Sequence, residues 1–85
     1  MDEASSMDHD GAEAAISRIV CRIANLARLD PTQDYFAAGL ESVQALELLV
    51  ELEALFGINL SDEEFARTRT VRDLGRLVTA GKASG

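Results

Sequence analysis

The chain has 85 residues, 47% of them apolar but only 5% aromatic, and carries a formal net charge of −7. Such a length supports one small domain, stable by about 5 kcal/mol, with an aliphatic core. The charge argues against nucleic acid, whose phosphates call for Lys and Arg, and against an anionic membrane surface, and it favours partners with basic patches.

Cys21 is the single cysteine, so no internal disulfide can form, and it is expected on or beside a buried helix face as a small apolar group. His9 sits in a polar, acidic stretch and is expected to be solvated. Residues 1–11 hold no apolar run that would make a signal peptide, and no stretch is suited to span a membrane. The expectation is a soluble, cytoplasmic monomer.

Residues 1–10 are acidic and aperiodic, and read as a disordered tail before a domain over 11–81. Asp10 and Glu13 have capping-box spacing, which predicts a helix start there. Ile16, Ile19, Val20, Ile23, Leu26 and Ala27 then recur at helical spacing, and Asp30-Pro31 is expected to end the helix near Arg28 or Leu29. A long loop follows to Glu41, in which Tyr35 and Phe36 should pin the chain to the core, Pro31 to Asp34 could make one helical turn, and Ala38-Gly39 allow a tight turn.

Ser42 to Phe56 reads as the second helix, closed by Gly57 as a left-handed cap. On a helical wheel at 100° per residue, Ala45, Leu48, Leu49, Leu52, Leu55 and Phe56 form one broad apolar side, opposite Gln44, Glu47 and Glu51. Val43, Leu46, Val50 and Ala54 lie between. Leu46 is expected in the core, while Val43 and Val50 are open between core and an exposed docking spot. Ser61 to Glu64 and Thr70 to Asp73 each have the spacing of a helix start. The first opens a short helix carrying Phe65 inward and the second opens the last helix, with Val71, Leu74, Leu77 and Val78 inward, ending near Gly81 before a tail over 82–85. The fold class is therefore all-α, a small four-helix bundle with a short third helix and a long first connection.

Charge is segregated along the chain. No Lys or Arg occurs from Leu29 to Ala66, although mixing signs four residues apart would stabilise a helix by a few tenths of a kcal/mol per pair. Glutamate's helix propensity explains part of this, and a negatively charged docking face on the second helix explains the rest.

Ser42 is the candidate chemical group. A nucleophilic serine needs a base, and the one histidine lies in the tail. No hydrolase elbow, phosphate loop or zinc spacing is present, so an enzyme is disfavoured. A hydroxyl at a helix amino terminus suits a covalently attached phosphodiester, with Gly39 keeping the backbone accessible and Glu41 able to help a modifying enzyme hold its metal. Taken alone, such a serine more commonly only caps its helix.

Asp34-Tyr-Phe36, Gly39-Leu-Glu-Ser42, the second helix ending in Phe56-Gly57, Ile58 to Phe65, and Thr70-Val-Arg-Asp-Leu74 together resemble the acyl carrier proteins and peptidyl (aminoacyl) carrier proteins. The resemblance runs from about Ala12 to Ala80. It implies a four-helix bundle that is not an enzyme, with Ser42 carrying a 4′-phosphopantetheine arm placed there from coenzyme A by a phosphopantetheinyl transferase. The arm would hold acyl or aminoacyl groups as thioesters, passed between an adenylating or acyl-loading enzyme and synthase or tailoring enzymes. It further implies docking through Val43, Glu47, Val50 and Glu53. Glu41 departs from the family's usual Asp before the serine, keeping the charge with one more methylene, which bears on which transferase accepts the protein. The competing reading is an unmodified helical adaptor that binds a basic partner through the same acidic face.

Overall fold

A computed structural model describes residues 9–84, with side-chain surroundings from 11 to 80. Five helices follow in order: α1 (His9–Ala24), α2 (Tyr35–Ala38), α3 (Ser42–Phe56), α4 (Asp62–Ala66) and α5 (Val71–Ser84), with no strand among the described residues. Residues 1–8 of the expected tail lie outside the described residues. His9 and Asp10 are already helical, so Asp10 sits inside the first turn rather than capping it.

α1 buries Ala12, Ile16 and Val20, four residues apart, with Ile19 and Ile23 packed at the edge. It stops at Ala24, earlier than Asp30-Pro31 suggests. Asn25 takes a left-handed φ of 59°, and the Leu26 N–H donates to the Cys21 carbonyl at 2.8 Å, closing the helix end as a glycine would. Leu26 and Ala27 are therefore outside the helix. Cys21 is half-buried beside the core.

The connection to α3 is ordered by polar ties. Asp34 Oδ1 accepts from the N–H groups of Phe36 and Ala37 at 2.8 and 3.2 Å, which nucleates the four-residue α2. Pro31 to Asp34 makes only a turn, so the helical turn expected there lies four residues later, in α2. The Tyr35 N–H donates to the Arg69 carbonyl and the Arg72 N–H to the Pro31 carbonyl, each at 2.9 Å, fastening the loop to the start of α5. The Tyr35 side chain is fully buried, and its hydroxyl bonds Thr68 Oγ1. Thr68 already gives its own proton to the Phe65 carbonyl at 2.6 Å, so the phenol is the donor. Burial pushes the Tyr35 phenol up to about 12.

α4 and α5 start where their spacing predicts. Ser61 Oγ accepts from Glu64 N–H at 3.0 Å, and Thr70 Oγ1 from Asp73 N–H at 3.1 Å. α5 runs through Gly81 to Ser84, into the stretch read as a tail. A glycine inside a helix costs only about 1 kcal/mol, so Gly81 does not end α5.

α1 packs chiefly against α5 and then α3. Ile16, Val20, Leu48, Leu52, Leu74 and Val78 meet at the centre with no more than traces of exposure. Burying each such side chain favours folding by about 1.5–3 kcal/mol. Two leucines of α3 are outside this core. Leu46 and Leu55, both expected inside, are 64% and 52% exposed. The bundle covers α3 on one side only, because α4 is five residues long and does not reach across Leu46. Leu55 lines a groove with Ala15 and Ile19 of α1.

Candidate functional site

The approach to α3 is a turn that buries one residue and then exposes three. Gly39 has a φ of 138°, a conformation open to glycine and costly for any other residue. Its N–H and that of Leu40 both donate to the Tyr35 carbonyl, at 3.2 and 2.9 Å, and Leu40 plugs into the core. Glu41, Ser42 and Val43 then emerge at the surface.

Glu41 is the N-cap of α3, with φ −94° and ψ 160°, and its carbonyl accepts from Ala45 N–H at 2.9 Å. Ser42 is the first helical residue. It does not fill the capping role that is a serine's commoner use, and its hydroxyl makes no hydrogen bond among the described residues. The group is thus exposed, uncommitted, and at the positive end of a 15-residue helix. Gln44, on the same turn, is half-buried, with both ends of its amide bonded to backbone.

Ser42 opens onto a cleft of about 510 Å³ between α3 and α4. Ala45, Leu46 and Leu49 form one wall; Phe36, Phe65 and Ala66 form the other. Asp62 and Arg69 supply one charge of each sign. Arg69 lies over the Phe36 ring, 5.7 Å from its centroid, and 3.9 Å from the Asp34 carboxylate. Apart from Ser42, none of these lining residues stands out from sequence pattern as part of a site, because they come from three helices and the segment after α4.

The residues expected to dock partners divide. Val43 and Val50 are 72% and 63% exposed, and with Leu46 and the exposed Glu47 they form one stripe that starts beside Ser42. Glu53 is apart from it. Its Oε2 accepts from Leu60 N–H at 2.9 Å, and its carbonyl accepts from Gly57 and Ile58, so it holds the turn out of α3. Glu51 binds Arg22 of α1. The exposed carboxylates beside the stripe are Glu41 and Glu47, with Asp62, Glu63 and Glu64 exposed on α4.

The sequence matches the family model described as "Phosphopantetheine attachment site" over residues 14–78. The chain belongs to this family. Its curated relatives include the acyl carrier proteins of Onion yellows phytoplasma (strain OY-M), 44% identical over 41 residues, and of Phytoplasma australiense, 44% identical over 36. The first match covers 48% of this chain and 54% of the relative, the second 42% and 47%, so the chain spans about half the length of the curated relatives it matches. Among solved structures, BlmI, a type-II acyl carrier protein from Streptomyces verticillus involved in bleomycin biosynthesis, superposes with a TM-score of 0.78 at 26% identity, over 85% of this chain and 87% of that one. A free-standing peptidyl carrier protein from Acinetobacter baumannii shares the fold, with a TM-score of 0.78 at 24% identity over 87% and 95% of the two chains. The helical bundle expected from sequence holds. No helix among the described residues is long and apolar enough to cross a membrane.

Proposed function

We propose that Ser42 is the attachment residue for a 4′-phosphopantetheine arm, and that the carrier protein presents acyl or aminoacyl cargo to the enzymes of a fatty acid, polyketide or nonribosomal peptide pathway. The observation that carries this reading is the Ser42 hydroxyl: exposed, free of the capping role, and first in the helix at the mouth of the cleft. The surroundings fit the group. A phosphodiester there meets the positive end of α3, and the cleft offers mainly apolar walls to whatever lies along it. When bound, the arm supplies a terminal thiol that holds cargo as a thioester.

Attachment forms a bond between Ser42 Oγ and the pantetheine-side phosphorus of coenzyme A. The bond from that phosphorus to the oxygen bridging it to the adenosine half breaks, adenosine 3′,5′-bisphosphate leaves, and a base of the transferase takes the serine proton. Gly39 turns the backbone so that Ser42 stands clear, and Glu41 places a carboxylate next to it. The stripe of Val43, Leu46, Glu47 and Val50 is the surface on which transferase, loading enzyme and synthase dock in turn, with Glu53 supporting it from the far end of α3. Its small apolar area and few charges suit brief, salt-sensitive encounters. The protein works as a monomer in the cytoplasm. Resemblance to BlmI and to the Acinetobacter protein favours secondary metabolism.

The test is intact-protein mass spectrometry after incubation with coenzyme A, magnesium and a promiscuous phosphopantetheinyl transferase. Wild type should gain one phosphopantetheine and Ser42→Ala none. A folded wild type that gains nothing, even as Glu41→Asp, would sink the proposal.

A further inference from the structure

Gln44 stands two residues past Ser42, and its side chain is half-buried rather than solvated. A carboxamide offers an acceptor and donors on one plane, and here both are used. Its Oε1 accepts from the Glu41 N–H at 2.8 Å, and its Nε2 donates to the Ile23 carbonyl at 3.0 Å. Those backbone groups belong to two different helix ends. Glu41 is the N-cap of α3 and Ile23 lies in the last turn of α1, and such terminal N–H and C=O groups have no partner within their own helix. One side chain thus fastens the start of the serine helix to the end of α1. The chain between them, residues 24–40, is anchored to Thr68, Arg69 and Arg72, and at Leu29 to α1, whose Ser17 hydroxyl donates to the Leu29 carbonyl at 3.3 Å. A second tie between the same helices, Arg22 to Glu51, lies two turns further along α3.

We propose that Gln44 is a positioning residue for the attachment reaction: by tying Glu41 to Ile23 it fixes the first turn of α3 and so the direction in which Ser42 Oγ is presented to the transferase. The inference rests on the reading of Ser42 as the attachment residue. Transfer to phosphorus needs the attacking oxygen in line with the bond that breaks, and displacements of about 1 Å cost such reactions up to about a hundredfold. The tie at Arg22–Glu51 cannot do this work, because it grips α3 far from Ser42.

The experiment compares wild type, Gln44→Met, Gln44→Glu and Glu51→Gln as substrates of one transferase, with amide hydrogen exchange on each unmodified protein. Met keeps the length and loses both hydrogen bonds. Glu keeps an acceptor for the Glu41 N–H but sets an oxygen against the Ile23 carbonyl. The expected result is a kcat about tenfold lower for Gln44→Met, with KM within about twofold. Gln44→Glu should fall between Met and wild type, and Glu51→Gln should match wild type. The Glu41 amide should exchange about tenfold faster in Gln44→Met while the amides of Leu48 and Leu52 are unchanged. Equal kcat for wild type and Gln44→Met overturns the proposal, as does a fall in which Glu51→Gln shares equally. If wild type itself gains no arm, the reading of Ser42 fails and the proposal falls with it. That outcome is distinct from a loaded wild type with an equally loaded Gln44→Met.

Discussion

Leu46 and Leu48 are two residues apart on α3 and identical in type, yet Leu48 is fully buried and Leu46 is 64% exposed. The helix carries two apolar stripes. One, through Leu48, Leu49 and Leu52, is paired with α1 and α5 and holds the bundle together. The other, through Val43, Leu46 and Val50, faces water, though the composition that made it is the same. The difference lies in what the rest of the chain can cover. With α2 four residues long and α4 five, no element among the described residues closes over the second stripe. An apolar strip that folding leaves open, beginning at the exposed serine, is where a transient partner gains most from contact.

That contrast can be broken by truncating each stripe in turn. Leu52→Ala should cost about 3 kcal/mol of stability, read from urea denaturation, whereas Leu46→Ala should change it by less than about 0.5 kcal/mol. For affinity to the transferase the ranking should invert, with Leu46→Ala weakening binding about tenfold. A Leu46→Ala protein as unstable as Leu52→Ala would mean that the two stripes are one core. The carboxylates sharpen the same comparison at smaller scale. Removing Glu53 with Ala should cost about 1–2 kcal/mol, since the Leu60 N–H loses its acceptor, while Glu47→Ala should leave the denaturation midpoint in place and reduce only the salt dependence of partner binding. The covered side also carries a pH effect. The Tyr35 phenol titrates at about 12 in the folded protein against an ordinary 10. Its contribution is complete below pH 10 and lost as pH rises toward 12, because the unfolded chain gives up the proton first. Tyr35→Phe should remove that part of the slope in denaturation midpoints between pH 10 and 12.

The elements legible in sequence were those with a local signal. The starts of α4 and α5 were set by Ser61 and Thr70, the end of α3 by Gly57, and each of these residues does its expected work. α1 ended early because Asn25 took the left-handed turn usually given to glycine, and Asp30-Pro31 was the louder signal. α2 was hidden because four residues carry no periodicity, although Asp34 was there to cap it. The site divides the same way. Gly39, Glu41 and Ser42 form one contiguous motif. The family resemblance groups Glu53 with the docking residues, and its bond to Leu60 separates it from Glu47. Gln44 read as a solvent-facing residue because its second partner, Ile23, is 21 positions away. Leu46 and Leu55 were misplaced because a wheel shows which residues share a side, never whether another helix arrives to cover it.

Tyr35 is the only tyrosine, and the chain has no tryptophan. Its ring lies edge-on to Phe36, 5.0 Å between centroids, and its hydroxyl reaches Thr68, whose neighbours Phe65 and Arg69 border the cleft beside Ser42. The molecule therefore carries its own optical gauge. Tyrosine emission comes from one place, the junction of α2 with the segment after α4, so any change in its intensity or anisotropy reports on the wall of that cleft without a label being added.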